Sequence, residues 1–336
     1  MRNCIRVLKL VLGALLFACT GLSHLEAQEA TIMPVGDMST STFQRSSFAW
    51  QVEYRLYVVN NFALSEAYLN EGKVTGHRRD GYATEGWLNL PFEAHRVSFA
   101  LGAGFYDFFD TQPLPNGDSL DVHGTAPIVS FSATTYIYKR LYARLTINRI
   151  MPSHDIRVNT ATAGLGLWLG KGTSPEPLRF SNPDADGTTG NELTVYYGQS
   201  TVNTFRNEKA AATSIEYRHG LAEYVDATVA WINEGDPQIV RRNGIAAQLW
   251  PVNTFAFGQQ KIGVGMGLGI YGYLDRKNVL RPGRFGSAAL AFLVSPAVTW
   301  EFSDHWGVRI VLHRVVTNYN RDADIYLAGL AYRWGK

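Results

Sequence analysis

Two sets of charged residues return along the 336-residue chain at a near-constant spacing. Glu53-Tyr54-Arg55 comes back as Glu216-Tyr217-Arg218, and Arg144 as Arg309. A carboxylate and two guanidinium groups out of water pair with one another; around an aqueous path they set the charge of a constriction. The second set is Asn70, Glu71 and Arg79, returning as Asn233, Glu234 and Arg242, with Arg149, His313 and Arg314 further on. A guanidinium can grip a phosphate with two parallel hydrogen bonds. Asn-Glu-Gly and Arg-Asp-Gly are equally the residues of a turn closed by an ion pair between strands. His305 and His313 lie about 26 Å apart if their segment is extended, so they cannot share an ion. The chain has no Gly-rich phosphate loop and no H-E-x-x-H. No catalytic set, metal site or cofactor site is expected.

The segments that must position these groups are β-strands. In Lys261–Asp275, Ile262, Val264, Met266, Leu268 and Ile270 form one row, and Gly263, Gly265, Gly267, Gly269 and Tyr271 the other. A period of two sends alternate residues to opposite faces of a strand. Residues 96–110 repeat the contrast, with Val97, Phe99, Leu101, Ala103 and Phe105 against Ser98, Ala100, Gly102, Gly104 and Tyr106. Residues 287–302 and 305–316 follow suit. Short connections (58–61, 91–95, 139–141, 303–305) alternate with longer ones (73–81, 111–125, 152–159, 276–286). Tyr54, Tyr138, Trp168, Trp300, Trp306, Tyr332 and Trp334 stand near strand ends, where an interfacial girdle would sit. Apolar rows on nearly every strand disfavour a soluble all-β protein, which would need a second sheet to bury them.

The first residues carry Arg2, Arg6 and Lys9, then an apolar run from Leu10 to Leu22, then Ala27 as a cleavage point. This has the form of an export signal. A lipid anchor at Cys19 is the alternative. Cleavage after Ala27 removes Cys4 and Cys19, the only cysteines, leaving no disulfide and no thiolate ligand. No later segment holds the roughly 20 continuous apolar residues of a spanning helix. A net charge of +2 gives no support to a nucleic-acid partner. The fold expected is all-β, an antiparallel transmembrane β-barrel in the outer membrane of a Gram-negative-type bacterium.

The chain also repeats itself. The pairs EYR, NEG and RRDG/RRNG keep an offset of 163, and the glycine strands and the last thirty residues of each half an offset of 165. Residues 36–43 answer 198–205. An internal duplication is expected, with a signal over 1–27, repeats over 28–170 and 192–336, and a periplasmic Pro/Gly/Asp-rich linker over 171–191. About eight strands per half permit one sixteen-stranded barrel or two eight-stranded ones. The single barrel is slightly preferred, since fusion buries the edges of each half.

Strand parity then places Glu53, Arg55, Arg144, Glu216, Arg218 and Arg309 in the lumen, as a filling network or a charged constriction. Asn70, Glu71, Arg79, Arg149, Asn233, Glu234, Arg242, His313 and Arg314 fall near the outward rim. Arg149 and Arg314 have the lipid-facing parity there, where they could meet lipopolysaccharide phosphates.

Gly307-Val308-Arg309 before His313, within an eight-strand unit, resembles the outer-membrane lipid A deacylases. That resemblance implies a Ser nucleophile two residues after a His base on a lipid-facing strand, with an orienting Glu on the next. Here Val315 stands where the serine would be, and His313 lies one residue further from Gly307, which turns it to the lumen. The first half has Asn148 and Ile150. Asp322 and Asp324 could orient a His, but no hydroxyl is expected within its reach, so the nucleophile is missing. Ser153 and Ser287 are the serines left for a hydrolase. The function expected is that of a non-enzymatic integral membrane protein: structural, lipopolysaccharide-interacting or a passive pore. A lipid A acyl hydrolase is the alternative. Partners expected are outer-membrane lipids, lipopolysaccharide and the barrel assembly machinery.

Overall fold

The computed structural model describes residues 27–40, 46–59, 61–74, 76–92, 97–116, 118–138, 141–152, 157–168, 189–204, 207–222, 225–237, 240–257, 260–278, 290–319 and 321–335. The expected signal up to residue 26, both cysteines and most of the expected linker lie outside them, as do Ser153 and Ser287.

The first barrel comprises β1 (Ala27–Thr40), β3 (Trp50–Val59), β4 (Phe62–Val74), β5 (His77–Phe92), β6 (Val97–Pro113), β7 (Ser119–Tyr138), β8 (Leu141–Ile150) and β9 (Val158–Trp168), with the short β2 (Ser46–Phe48) laid on β1. Each strand is antiparallel to the next, and β9 returns to β1 from Glu29↔Trp168 to Thr40↔Val158. The second barrel comprises β10 (Asn191–Val202), β11 (Glu208–Ala222), β12 (Val225–Asn233), β13 (Val240–Phe257), β14 (Gln260–Asn278), β15 (Leu290–Glu301), β16 (Trp306–Val316) and β17 (Ala323–Trp334). It closes between β10 and β17, from Asn191↔Trp334 to Val202↔Ala323. There are thus two eight-stranded barrels, and the preference for one sixteen-stranded barrel is corrected. Each half pairs its own first and last strands, so neither keeps an open edge for fusion.

Alternation decides what each face meets. On β6, Leu101 and Phe105 point outward and are 56% and 59% exposed, while Ala100 and Tyr106 are buried inside. On β16, Ile310 is 60% exposed between the buried Arg309 and Val311. Leaving such side chains in water would forfeit about 1.5–3 kcal/mol for each one that could be buried. Repeated around closed barrels, the pattern is that of a transmembrane barrel in lipid. The glycine rows face inward. A Cβ on Gly267 would come within 2.5 Å of the Trp250 ring, and one on Gly102 within 2.9 Å of Trp87. Both indoles are fully buried, so the bare strands make room for tryptophans from their neighbours. The rest of the second interior is apolar on one side, with Tyr271, Leu293, Ile325 and Leu327 packed together.

Two details differ from expectation. Of the expected loop 73–81, residues 73–74 belong to β4 and 77–81 to β5, and Gly76 takes a φ of 81°. Trp168 is no girdle residue: it has inward parity, is fully buried and lies 5.7 Å from the Tyr57 ring. Trp300, Trp306, Tyr332 and Trp334 do face outward, with Trp306 and Tyr332 rings 5.0 Å apart. The Tyr138 side chain is outside those described. A further aromatic row has outward parity on the first barrel: Trp50, Tyr68, Tyr82, Phe109 and His123, on five successive strands, with 5.1 to 6.2 Å between neighbouring rings.

The glycine–tryptophan packing is directly testable. Gly267→Val should overpack the second barrel and lower its stability by about 1–3 kcal/mol. Urea unfolding of micelle-refolded protein, followed by tryptophan fluorescence, reads this as a lower midpoint, and an unchanged midpoint would contradict the packing.

Candidate functional site: the luminal networks and the rim pairs

Each lumen holds a set of fully buried ions. In the first barrel, Arg55 on β3 donates from Nε to Glu53 Oε1 at 2.7 Å, and its guanidinium lies 3.7 Å from the centre of the Trp87 ring. Arg144 on β8 donates from Nε to Thr134 Oγ1 at 2.9 Å and from Nη1 to Thr31 Oγ1 and Glu53 Oε1, both at 3.2 Å. Its Nη2 pairs with Glu29 on β1. Tyr136 donates to the same Glu29 at 2.9 Å. Two carboxylates, Glu29 and Glu53, therefore pair with two guanidinium groups, with hydroxyls taking up most of the remaining capacity, and a third carboxyl group, Glu85, is buried close to Glu53 and Arg55.

The second barrel keeps the residue types and changes the connections. Arg333 on β17 donates to Glu192 Oε2 at 2.6 Å and pairs with Glu301. Arg218 donates to Asp226 Oδ2 at 3.2 Å and stands 4.0 Å from Glu216. Arg309 is 3.8 Å from Glu216 and 3.9 Å from Glu192, and 4.5 Å from the centre of the Trp250 ring. All of the residues that parity placed in the lumen, Glu53, Arg55, Arg144, Glu216, Arg218 and Arg309, are buried inside the barrels. Sequence reasoning missed Glu29 and Glu192, although Glu-x-Thr opens both units at the 163 offset. It also missed Asp226, Glu301 and Arg333, whose counterparts Ala63, Tyr136 and Trp168 carry no charge.

His313, near the end of β16, faces the lumen as its parity assigned, and the expectation that no hydroxyl lies within its reach is corrected. Ser295, on the adjacent strand β15, places Oγ 2.7 Å from His313 Nδ1. Gln248 Nε2 donates to that Oγ at 2.8 Å. The serine hydroxyl can donate to Nδ1 or accept from it, according to which imidazole nitrogen carries the proton. Sequence reasoning looked for the serine along the His strand; the hydrogen bond runs across strands. Among the described residues no carboxylate is hydrogen-bonded to Nε2 to orient the ring. Ser295 and His313 are 0% and 1% exposed inside the barrel, shut off from any acyl chain outside.

At the rim the same device is built twice. Asn70 Oδ1 accepts from Gly72 N at 2.9 Å, and Asn233 Oδ1 from Gly235 N at 2.9 Å, with φ of 77° and 74° at the two glycines. Glu71 then pairs with Arg79 at 2.8 Å, and Glu234 with Arg242 at 2.6 Å. Burial pushes the Glu234 carboxyl above the ordinary carboxylate range, while Arg242 pulls it back. Arg242 also donates to the Arg321 carbonyl at 2.6 Å and Tyr319 OH at 3.1 Å, tying down the β16–β17 connection. Both arginines, Arg79 and Arg242, are buried against these carboxylates. Arg314 has the outward parity expected, yet it is buried and gives Nη1 to both Asp324 oxygens, at 2.8 and 2.9 Å. Arg149 alone among the expected rim arginines is exposed, on the outer face of β8.

No protein-family model matches the chain, and no curated protein does. Among solved structures it is similar to the N-terminal β-barrel domain of Pseudomonas aeruginosa OprF, at 9% identity and a TM-score of 0.36, over 43% of this chain and 98% of that one. It is similar to the attachment invasion locus protein Ail of Yersinia pestis at 11% identity and a TM-score of 0.34, over 43% and 99%. Neisserial surface protein A matches at 15% identity and a TM-score of 0.30, over 43% and 95%.

Burial separates the rim arginines energetically. Arg242→Ala should destabilise the second barrel by about 3–5 kcal/mol, because Glu234 is left buried without its partner. Arg149→Ala should stay within about 0.5 kcal/mol, as exposed substitutions do. Urea midpoints of the two variants check the contrast, and equal shifts would refute it.

Proposed function

We propose that the chain is a tandem outer-membrane β-barrel protein without catalytic activity, whose two units arose by duplication and act through their lipid-facing surfaces. The carrying observation is the combination of exposed apolar rows outside and side-chain-filled interiors inside, seen in both barrels. Trp87, Trp168 and Trp250 are fully buried together with the ion networks, which argues against a wide passive pore. The luminal ions are then structural: they fill and stiffen small barrels rather than select solutes. Repeated geometry supports duplication, since Trp87 donates to Ser65 and Trp250 to Thr228, both partners 22 residues back, at 2.7 and 2.9 Å. The basic segment before residue 28 is an export signal, and the barrel assembly machinery inserts the product. The exposed Arg149 is the rim residue available to lipopolysaccharide phosphates.

A lipid A acyl hydrolase is the second reading, favoured by the Ser295–His313 hydrogen bond. It requires a lipid-exposed nucleophile, which the inward, buried Ser295 does not supply.

Two measurements test this function. In planar bilayers the refolded protein should give no conductance steps, while unheated samples migrate as folded, heat-modifiable species in detergent gels. Lipid A from cells overexpressing the protein should keep all its acyl chains by mass spectrometry. Stable conductance would restore the pore, and loss of an acyl chain would establish the hydrolase.

A further inference from the structure

We propose that the second barrel holds ordered water at Arg309, bridging its guanidinium to Glu216 and Glu192. Arg309 is 1% exposed, and among the described residues none of its three side-chain nitrogens finds a hydrogen-bond partner. Its two carboxylates stand at 3.8 and 3.9 Å, too far for direct donation and close enough for one water to contact both groups at about 2.8 Å. The facing oxygens, Glu216 Oε1 and Glu192 Oε1, accept from Tyr196 and Thr194, both at 3.2 Å, and each keeps a second lone pair, while Glu216 Oε2 is buried with no donor among the described residues. Unmet buried polar groups of both signs in one place are what internal water joins. The surrounding charge is mixed, with Glu192, Glu216, Asp226 and Glu301 against Arg218, Arg309 and Arg333, so a neutral ligand fits better than an anion.

The first barrel explains why the site exists in the second. There the matching arginine, Arg144, bonds Thr31, Thr134, Glu53 and Glu29 directly. At the offsets of 163 and 165, all four partners have equivalents around Arg309: Thr194, Thr299, Glu216 and Glu192. Two replacements undo the direct bonding. Arg333 stands where the first barrel has Trp168, and it takes Glu192 together with Glu301, itself the counterpart of Tyr136. Gly307 stands where the first barrel has Tyr142, a fully buried phenol 4.9 Å from the Arg144 guanidinium. The three atoms nearest to a Cβ on Gly307 would be backbone atoms of β15, the first being the Trp300 carbonyl at 3.0 Å. The phenol's volume beside the arginine is thus not refilled by a side chain from this position, and water takes it.

Nuclear magnetic resonance on the full mature chain in micelles, with ¹⁵N-labelled arginine, tests the site. Arg309→Lys and Arg144→Lys assign the two Nε–H signals by their disappearance. The expected result is a water cross-peak at the Arg309 Nε–H and none at the Arg144 Nε–H, which Thr134 holds. Gly307→Tyr should abolish the Arg309 cross-peak and leave the Arg144 signal unchanged. An Arg309 Nε–H without a water cross-peak, or one that persists unchanged in a folded Gly307→Tyr, overturns the proposal. Should Gly307→Tyr fail to fold, the contrast between the two arginines in the unaltered protein decides alone.

Discussion

Everything in this chain depends on strand closure. In hydrocarbon an unpaired amide or carbonyl has no water to turn to, so a sheet survives there only if its last strand returns to its first. β9 does this for β1, and β17 for β10, each over most of the strand's length. Closure fixes parity, and parity assigns every side chain to lipid or lumen. Eight strands leave an interior that side chains can just fill. The glycine rows, the inward tryptophans and the buried ions are three responses to that one limited volume.

The charged interior follows from the same geometry. Side chains from facing strands meet near the axis, so a carboxylate on one wall reaches a guanidinium on another. Glu29 and Arg144 lie 115 residues apart in sequence and in direct contact. Such pairs are no surplus of stability, since desolvation offsets much of their attraction. What they contribute is a defined filling, which an all-aliphatic lumen of this width would not supply. The second barrel reaches the same end with three further charged residues, Asp226, Glu301 and Arg333, and two of its arginines lie against Trp250, at 4.9 and 4.5 Å.

Much of this was legible in the sequence because lipid outside and packing inside impose a period of two. The rows of residues 96–110 and 261–275 lie on the faces their alternation assigned, and so do Glu53, Arg144 and Arg309. The number of barrels was not legible, because closure is a pairing between strands more than a hundred residues apart. Trp168 was misplaced by its position at a strand end, although its parity with Thr160 and Thr162 already pointed inward. Arg314 had the right face, but Asp324, directly opposite on β17, claims it. Ser295 and His313 meet across a ladder, and nothing in their sequence spacing announces that contact. Glu301 and Arg333 escaped because a comparison of the halves finds only what the halves share.

One irregularity in β1 carries a wider consequence. Between Ile32 and Val35 the register against β9 slips, with Ile32 opposite Leu165 and Val35 opposite Ala163. One residue more is accommodated on β1 than on its partner, and Pro34 and Val35 both point outward. Below the bulge Glu29 answers Glu192 at 163; above it Gly36 answers Gly198 at 162. An uncompensated extra residue would have swapped lumen and lipid faces for the rest of the strand. The bulge confines the change to one outward kink. Membrane strands are commonly treated as rigid rulers whose length cannot drift. Here a single-residue length change is tolerated in mid-strand, so alignments of such barrels that forbid gaps inside strands will lose their frame at places like this one.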